Sequence, residues 1–198
     1  MTDYFSKKYS DPKRWASYWH QIDEVLNFRP RSVLIIGKGD GLVGEYLRLR
    51  GIKITTLDID SAVKPDVVAS VAEMPFAENE FDVALCAQVL EHLSYENFVP
   101  ALKEIKRVVK SGAVVSLPHF GPAVKFLLKI PFFPELKFVI KLPWPVRHRF
   151  KGEHYWEIGK RSYPLKRVKN DFGNSGFKIE KNFIVFENPL HRFFVLKK

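Results

Sequence analysis

The stretch VLIIGKGDGLVGEYL, residues 33–47, decides the fold. Four apolar residues run into Gly37, Gly39 and Gly41, and an amphipathic helix pattern follows. That order describes a buried strand, a turn whose bare backbone can touch a ligand, and a helix N-terminus with free N–H groups. A second apolar run, from Ile52 to Leu57, ends in Asp58, 19 residues beyond Gly39. A carboxylate there suits the two hydroxyls of an adenosine ribose, because it can accept both hydrogen bonds. The pattern announces a nucleoside-cofactor site.

Gly39-x-Gly41-x-x-Gly44 also fits a dinucleotide fingerprint, so the glycines do not choose the cofactor. Asp40 argues against the dinucleotide, because a carboxylate among the turn glycines would face a pyrophosphate of like charge. A cationic sulfonium such as S-adenosylmethionine meets no such repulsion, and its adenosine still needs the ribose acid. A P-loop is excluded, since no Gly-Lys-Ser/Thr follows the turn.

The chain resembles the class I S-adenosylmethionine-dependent methyltransferases, in particular small UbiE-like members. Four blocks carry the resemblance in order: the glycine turn, TTLDID, EMPFAENEFDVALCAQVLEHL and LKEIKRVVKSGAVVSLPH, spanning Val33 to His119. GFKIEKNFIVFENPLHRFFVLKK looks like the closing hairpin. The resemblance implies an α/β, Rossmann-like seven-stranded sheet, mostly parallel with an antiparallel C-terminal hairpin and helices on both faces. It also implies roles. Gly37, Lys38, Gly39 and Gly41 form the turn that lines the methionine part, Asp58 holds the ribose, and Ile59 packs on the adenine. Val71 and Ala72 wrap the adenine edge, and Gln88 lines the cofactor near the sulfonium. Two positions depart from the family pattern: Ile35 stands where an acid is usual, and Ser70 where Asp is common.

The 198 residues, 46% hydrophobic, suit one domain over 1–198 with a substantial core. The opening MTDYFSKKYSDPK is polar with no apolar signal region, and no run is long enough to span a membrane. The single cysteine allows no internal disulfide, so the expected compartment is the cytoplasm. The net charge of +10 is uneven: Met1–Lys110 carries −1 and Ser111–Lys198 carries +11. A basic half of this kind attracts nucleic acid, anionic lipid or phosphorylated small molecules, or is simply a solvated surface.

From Asp11 to Phe28, Trp15, Tyr18, Trp19, Ile22, Val25 and Leu26 recur at helical spacing, and the aromatics read as core. Strands read as 33–36, 52–57, 66–69, 82–87 and 113–117, with helices between most of them, one of these over 96–109 followed by Gly112 as a turn residue. Residues 120–161 are an insertion on the substrate side. Lys125/Lys129 and Lys137/Lys141 are spaced i,i+4 among apolar residues, and Pro122, Pro131, Pro134, Pro143 and Pro145 punctuate them. That spacing predicts short amphipathic helices broken by proline, forming a lid before the last helix. A dimer contact and a membrane-surface patch remain open, as does the oligomeric state.

Removing a proton from a hydroxyl acceptor calls for a base, and His154, His119 and His92 are the candidates. Glu91 reads as a helix-start or packing residue. His20, His148 and His191 show no metal-ligand spacing, so no metal is expected. Cys86 reads as an inert core thiol. No Pro-Cys nucleophile and no Asn/Asp-Pro-Pro-Tyr/Phe motif is present, which disfavours methylation of bases. The expected function is methyl transfer to a small-molecule or lipid- or sugar-linked acceptor, oxygen being one acceptor atom. The alternatives are an RNA methyltransferase using the basic half, and a non-catalytic cofactor-binding partner subunit.

Overall fold

A computed structural model describes residues 11–144, 146–150 and 152–198. The polar opening stretch up to Ser10, and Pro145 within the insertion, lie outside them. Asp11 caps helix α1 (Pro12–Asn27), its carboxylate accepting from Arg14 N at 2.8 Å, with proline at the first helical position. Strand β1 (Ser32–Ile36) and helix α2 (Leu42–Leu49) follow. Next come β2 (Lys53–Asp58), β3 (Val67–Val68), β4 (Phe81–Ala87), helix α3 (Phe98–Val108) and β5 (Val109–Pro118). A hairpin of β6 (Ala123–Leu128) and β7 (Leu136–Lys141) precedes helix α4 (Leu165–Asn174). Strands β8 (Lys178–Ile184) and β9 (His191–Lys197) close the chain.

The main sheet has seven strands in the order β3-β2-β1-β4-β5-β9-β8. The first five are parallel, and β9 runs antiparallel between β5 and β8. The Rossmann-like expectation holds. Strands β1, β4 and β5 are almost wholly apolar because both faces are covered, which is the signature of central parallel strands. One core layer gathers Leu34, Ile36, Phe98, Leu102, Trp156, Phe172 and Phe194; the other gathers Val33, Ile35, Leu47, Leu85, Val114 and Phe193. Strand order reverses between β1 and β4, so the crevice for a ligand opens at their carboxyl ends.

Four expectations need correcting. Only a 3₁₀ turn (Ser61–Val63) separates β2 from β3, and no helix lies between β3 and β4. The second of these loops is held instead by α3: Arg107 donates to the carbonyls of Phe76 (2.7 Å) and Met74 (3.1 Å), and Glu104 accepts from Met74 N (3.0 Å). Of the α1 aromatics only Tyr18 is buried, while Trp15 and Trp19 are exposed. Buried polar groups take their place on the inner face: Ser17 meets His191 and Asn188, and Glu24 pairs with Lys181.

Gly112 lies inside β5 rather than in a turn, because a Cβ there would sit 2.0 Å from the Leu196 carbonyl oxygen of β9. Gly112→Ala should therefore destabilise by about 3 kcal/mol or more, since the obstacle is backbone, read as a fall in the denaturant midpoint. An unchanged midpoint would contradict the register.

The insertion is the largest correction. Instead of broken helices it forms the β6–β7 hairpin, with Val124 opposite Ile140, Phe126 opposite Phe138 and Leu128 opposite Leu136. Lysines at i,i+4 also satisfy a period of two, and Leu136–Lys141 follows that period except at Val139. The β-branched and aromatic residues, with Pro131 and Pro134 in the connection, decide for strands. The rest of the insertion returns to the sheet. Tyr155 N donates to Glu91 O at 2.8 Å, and Ile158 bridges His119 beyond β5.

Candidate functional site

At the carboxyl end of β1, Gly37, Gly39 and Gly41 have φ of 80°, 56° and 79°, a region that bulky residues avoid. A Cβ on Gly37 would lie 2.3 Å from Cγ2 of Val89, so this glycine also lets the loop after β4 press against the turn. Asp58 ends β2 facing the same turn. One carboxylate oxygen accepts from Lys38 N at 2.8 Å and the other from Asp60 N at 3.0 Å. Each oxygen keeps a further lone pair for a hydroxyl. The Lys38 ammonium turns away to the Lys64 carbonyl at 2.6 Å, so this residue borders the cleft through its backbone.

Asp40 ties the turn to α1 by accepting from Tyr18 Oη at 2.6 Å, and accepts from Leu42 N at the start of α2. Ile35 is buried against Gly44 and offers no polar group. Ile59 stands 76% exposed next to Asp58, free to stack on a planar ring. Val71 points into the core, so contact with a ligand there falls to backbone and to exposed Ala72. Gln88 follows β4 in a left-handed conformation (φ 56°), its Nε2 donating to Ser116 Oγ at 3.2 Å. The nine cofactor-side positions thus line the carboxyl edge of β1, β2 and β4 and the loop beyond β3.

The three histidines separate. His119, at the end of β5, accepts from Arg192 Nε at 3.0 Å through Nδ1. Burial, then the charges of Arg192 and Lys141, push it down to about 3, so it stays neutral and poorly basic. His92 and His154 come together, ring centroids 5.1 Å apart, although 62 residues separate them in sequence. His92 Nδ1 donates to the Glu153 carbonyl at 2.9 Å, and His154 Nδ1 to Glu157 at 3.1 Å. Both rings therefore keep Nε2 as the free lone pair.

Glu91 joins them. It is fully buried, neither carboxylate oxygen has a hydrogen-bond partner, and burial raises its carboxyl to about 8. A packing role does not fit an orphaned carboxylate in a dry site. Ligand-capable atoms of Glu91, His92 and His154 all lie within 4.8 Å of one another. Histidine spacing along the chain does not show this grouping, because the returning insertion is what closes it. One carboxylate and two imidazoles, each anchored through Nδ1 by oxygen, fit a divalent cation. The sequence signal that could have found it was the adjacent pair Glu91-His92, followed by a histidine in an unexplained segment.

Cys86 is buried in β4 and burial pushes its thiol up, so it is inert. His191 is also lowered, to about 4, by burial and then by Arg14. The unfolded chain takes up protons on these histidines near pH 6.5, whereas the folded chain resists until the lowered values are reached. Stability on this count is full above pH 6.5 and falls as pH drops toward 4. His154, raised by its hydrogen bond to Glu157, works the other way. The thermal midpoint should fall between pH 7 and 5 in calorimetry; a flat profile would contradict the burial of His119 and His191.

Residues 34–117, from β1 to the end of β5, match the family model for the methyltransferase domain. The sheet order and the matched segment, which covers the parallel half of the fold, are those of a class I S-adenosylmethionine-dependent methyltransferase domain. Among particular relatives, the ubiquinone biosynthesis O-methyltransferase of Pseudomonas syringae pv. tomato is 31% identical over 111 residues, 48% of this chain and 46% of that one. The Burkholderia thailandensis 1,6-didemethyltoxoflavin-N1-methyltransferase, solved with 1,6-didemethyltoxoflavin and S-adenosylhomocysteine bound, superposes with a TM-score of 0.64 at 15% identity. That match covers 92% of this chain and 78% of the other. An S-adenosylmethionine dependent methyltransferase from Mesorhizobium loti gives 0.61 at 15% identity, over 94% and 98%. The chain spans less than half the length of the curated relatives it matches.

Proposed function

We propose that the protein transfers the methyl group of S-adenosylmethionine to an oxygen of a small-molecule or lipid- or sugar-linked acceptor. The observation that carries the reading is the Glu91–His92–His154 cluster, two residues past the Val89 that packs on Gly37. The glycine turn would receive the amino-acid tail and Asp58 the ribose, which puts the sulfonium near this cluster. In the reaction the acceptor oxygen bonds to the methyl carbon as the carbon–sulfur bond breaks. S-adenosylhomocysteine leaves, and the hydroxyl proton passes to the free Nε2 of His154 or His92. If a divalent cation were held by Glu91, His92 and His154, it would take up those Nε2 lone pairs and supply Lewis acidity to the hydroxyl in their place, the proton then going to solvent. Alignment of donor and acceptor in an enclosed cleft supplies roughly 7–11 kcal/mol of the acceleration in such displacements. The O-methyltransferase activity named for the Pseudomonas relative supports the choice of oxygen.

The test is transfer of labelled methyl to lysate fractions separated into lipid, RNA and small metabolites. Label in a lipid or metabolite fraction, released by reagents that cleave methyl ethers or esters, is expected. Label confined to RNA would replace this reading with the RNA methyltransferase.

A further inference from the structure

Hairpin β6–β7 stands outside the main sheet, and its two faces differ. Cross-strand partners share a face, so Val124, Phe126, Leu128, Leu136, Phe138 and Ile140 form one wholly apolar side. All six are roughly half exposed, although Phe126 and Phe138 stack at 4.9 Å. The opposite side mixes Lys125, Lys137 and Lys141 with Ala123, Leu127 and Val139, and its lysines fix it to the domain. Lys125 and Lys137 lie over the Phe186 ring at 5.3 and 5.5 Å, and Lys141 donates to the carbonyls of His119, Gly121 and Pro189. The apolar face therefore looks outward, on a scale monomeric proteins rarely leave uncovered.

The tip extends the apolar surface. Ile130 and Phe133 are exposed, and Phe132 is 105% exposed with a left-handed backbone (φ 67°), which an aromatic residue adopts at a cost. Trp144 and Phe150 add exposed aromatic rings farther along the insertion. Between Phe120 and Arg161 there are nine Lys and Arg against three Glu, one of which, Glu135, pairs with Lys137.

We propose that the β6–β7 hairpin docks the protein on an anionic lipid surface, with the Phe132–Phe133 tip inserted among the acyl chains and the exposed cations Lys129, Arg147 and Arg149 on the headgroups. Charge selects this occupant. Two copies meeting through this surface would bring like charges together, whereas anionic headgroups neutralise them. Shape agrees, because a flat partner could cover the six-residue face and still leave the projecting tip in water. The hairpin leaves the sheet just beyond the carboxyl end of β5, on the edge that carries the candidate site. Docking there would bring a membrane-borne acceptor to the rim of the cleft. The inference does not depend on the transfer reaction, since binding is measured without turnover.

The experiment is co-sedimentation of the full chain with vesicles of phosphatidylcholine alone, or with about one third phosphatidylglycerol. Binding to the anionic vesicles at least tenfold tighter than to neutral ones, and weakened by salt, is expected. A double variant, Phe132→Ser with Phe133→Ser, should lose at least tenfold of that binding while keeping its thermal midpoint and its affinity for S-adenosylhomocysteine. Equal binding by variant and parent would overturn insertion of the tip, and no binding to either vesicle would overturn the proposal. A concentration-dependent dimer in sedimentation, abolished by Phe126→Ser, would assign the face to a second copy instead.

Discussion

The His154→Ala variant is expected to bind S-adenosylmethionine as the parent does and to transfer methyl at least about 100-fold more slowly, the usual worth of a positioned proton acceptor. His154 reaches the cleft from the returning insertion, so its loss leaves the glycine turn and Asp58 untouched. Glu91→Gln should behave similarly if the carboxylate holds a cation, because the amide fills the same buried volume but is a poor ligand. Calorimetry for the cofactor, with labelled-methyl transfer on the same samples, separates the two readouts. Parental rates in His154→Ala would remove it from the proton's path. Dialysis against a strong chelator adds a further arm: activity lost and then restored by a divalent cation identifies the cluster as a cation site, and activity unaffected by chelation leaves proton transfer to the imidazoles alone.

Asp58→Ala should weaken S-adenosylmethionine binding at least tenfold. Hydrogen bonds to a charged group contribute about 1.5–3 kcal/mol each, and two ribose hydroxyls are expected on this carboxylate. The substitution also frees the Lys38 and Asp60 amides that the carboxylate now holds, so the turn loosens as the sugar loses its anchor. Titration of the variant with cofactor reads both effects. An unchanged dissociation constant would show that the ribose lies elsewhere.

The parallel half of the fold was legible because its signals are local. A four-residue apolar run, a glycine turn and an acid ending the next strand each act within a few residues, and β1, β2 and β4 fall where those signals lie. The insertion misled because lysines four apart fit one face of a helix and one face of a strand equally well. Only the residues between them, Phe138 and Ile140 opposite Phe126 and Val124, separate the two readings. Gly112 looked like a turn residue because its reason for being glycine, the carbonyl of Leu196, arrives 84 residues later.

The site divides in the same way. The cofactor side is built from turns adjacent to strands and could be read along the chain. The acceptor side is assembled by long-range return: His154 meets His92 only because Tyr155 hydrogen-bonds to Glu91 and Ile158 bridges His119. Glu91 looked ordinary as a letter in LEHL, and its burial without a partner is a property of the folded chain alone.

The most direct measurement is a crystal structure of the protein grown with saturating S-adenosylhomocysteine. The expected density has the amino-acid tail on the Gly37–Gly39 backbone, both ribose hydroxyls on Asp58, and the sulfur turned toward Glu91, His92 and His154. A cleft left empty at saturation, or the nucleoside bound away from Asp58, would contradict it.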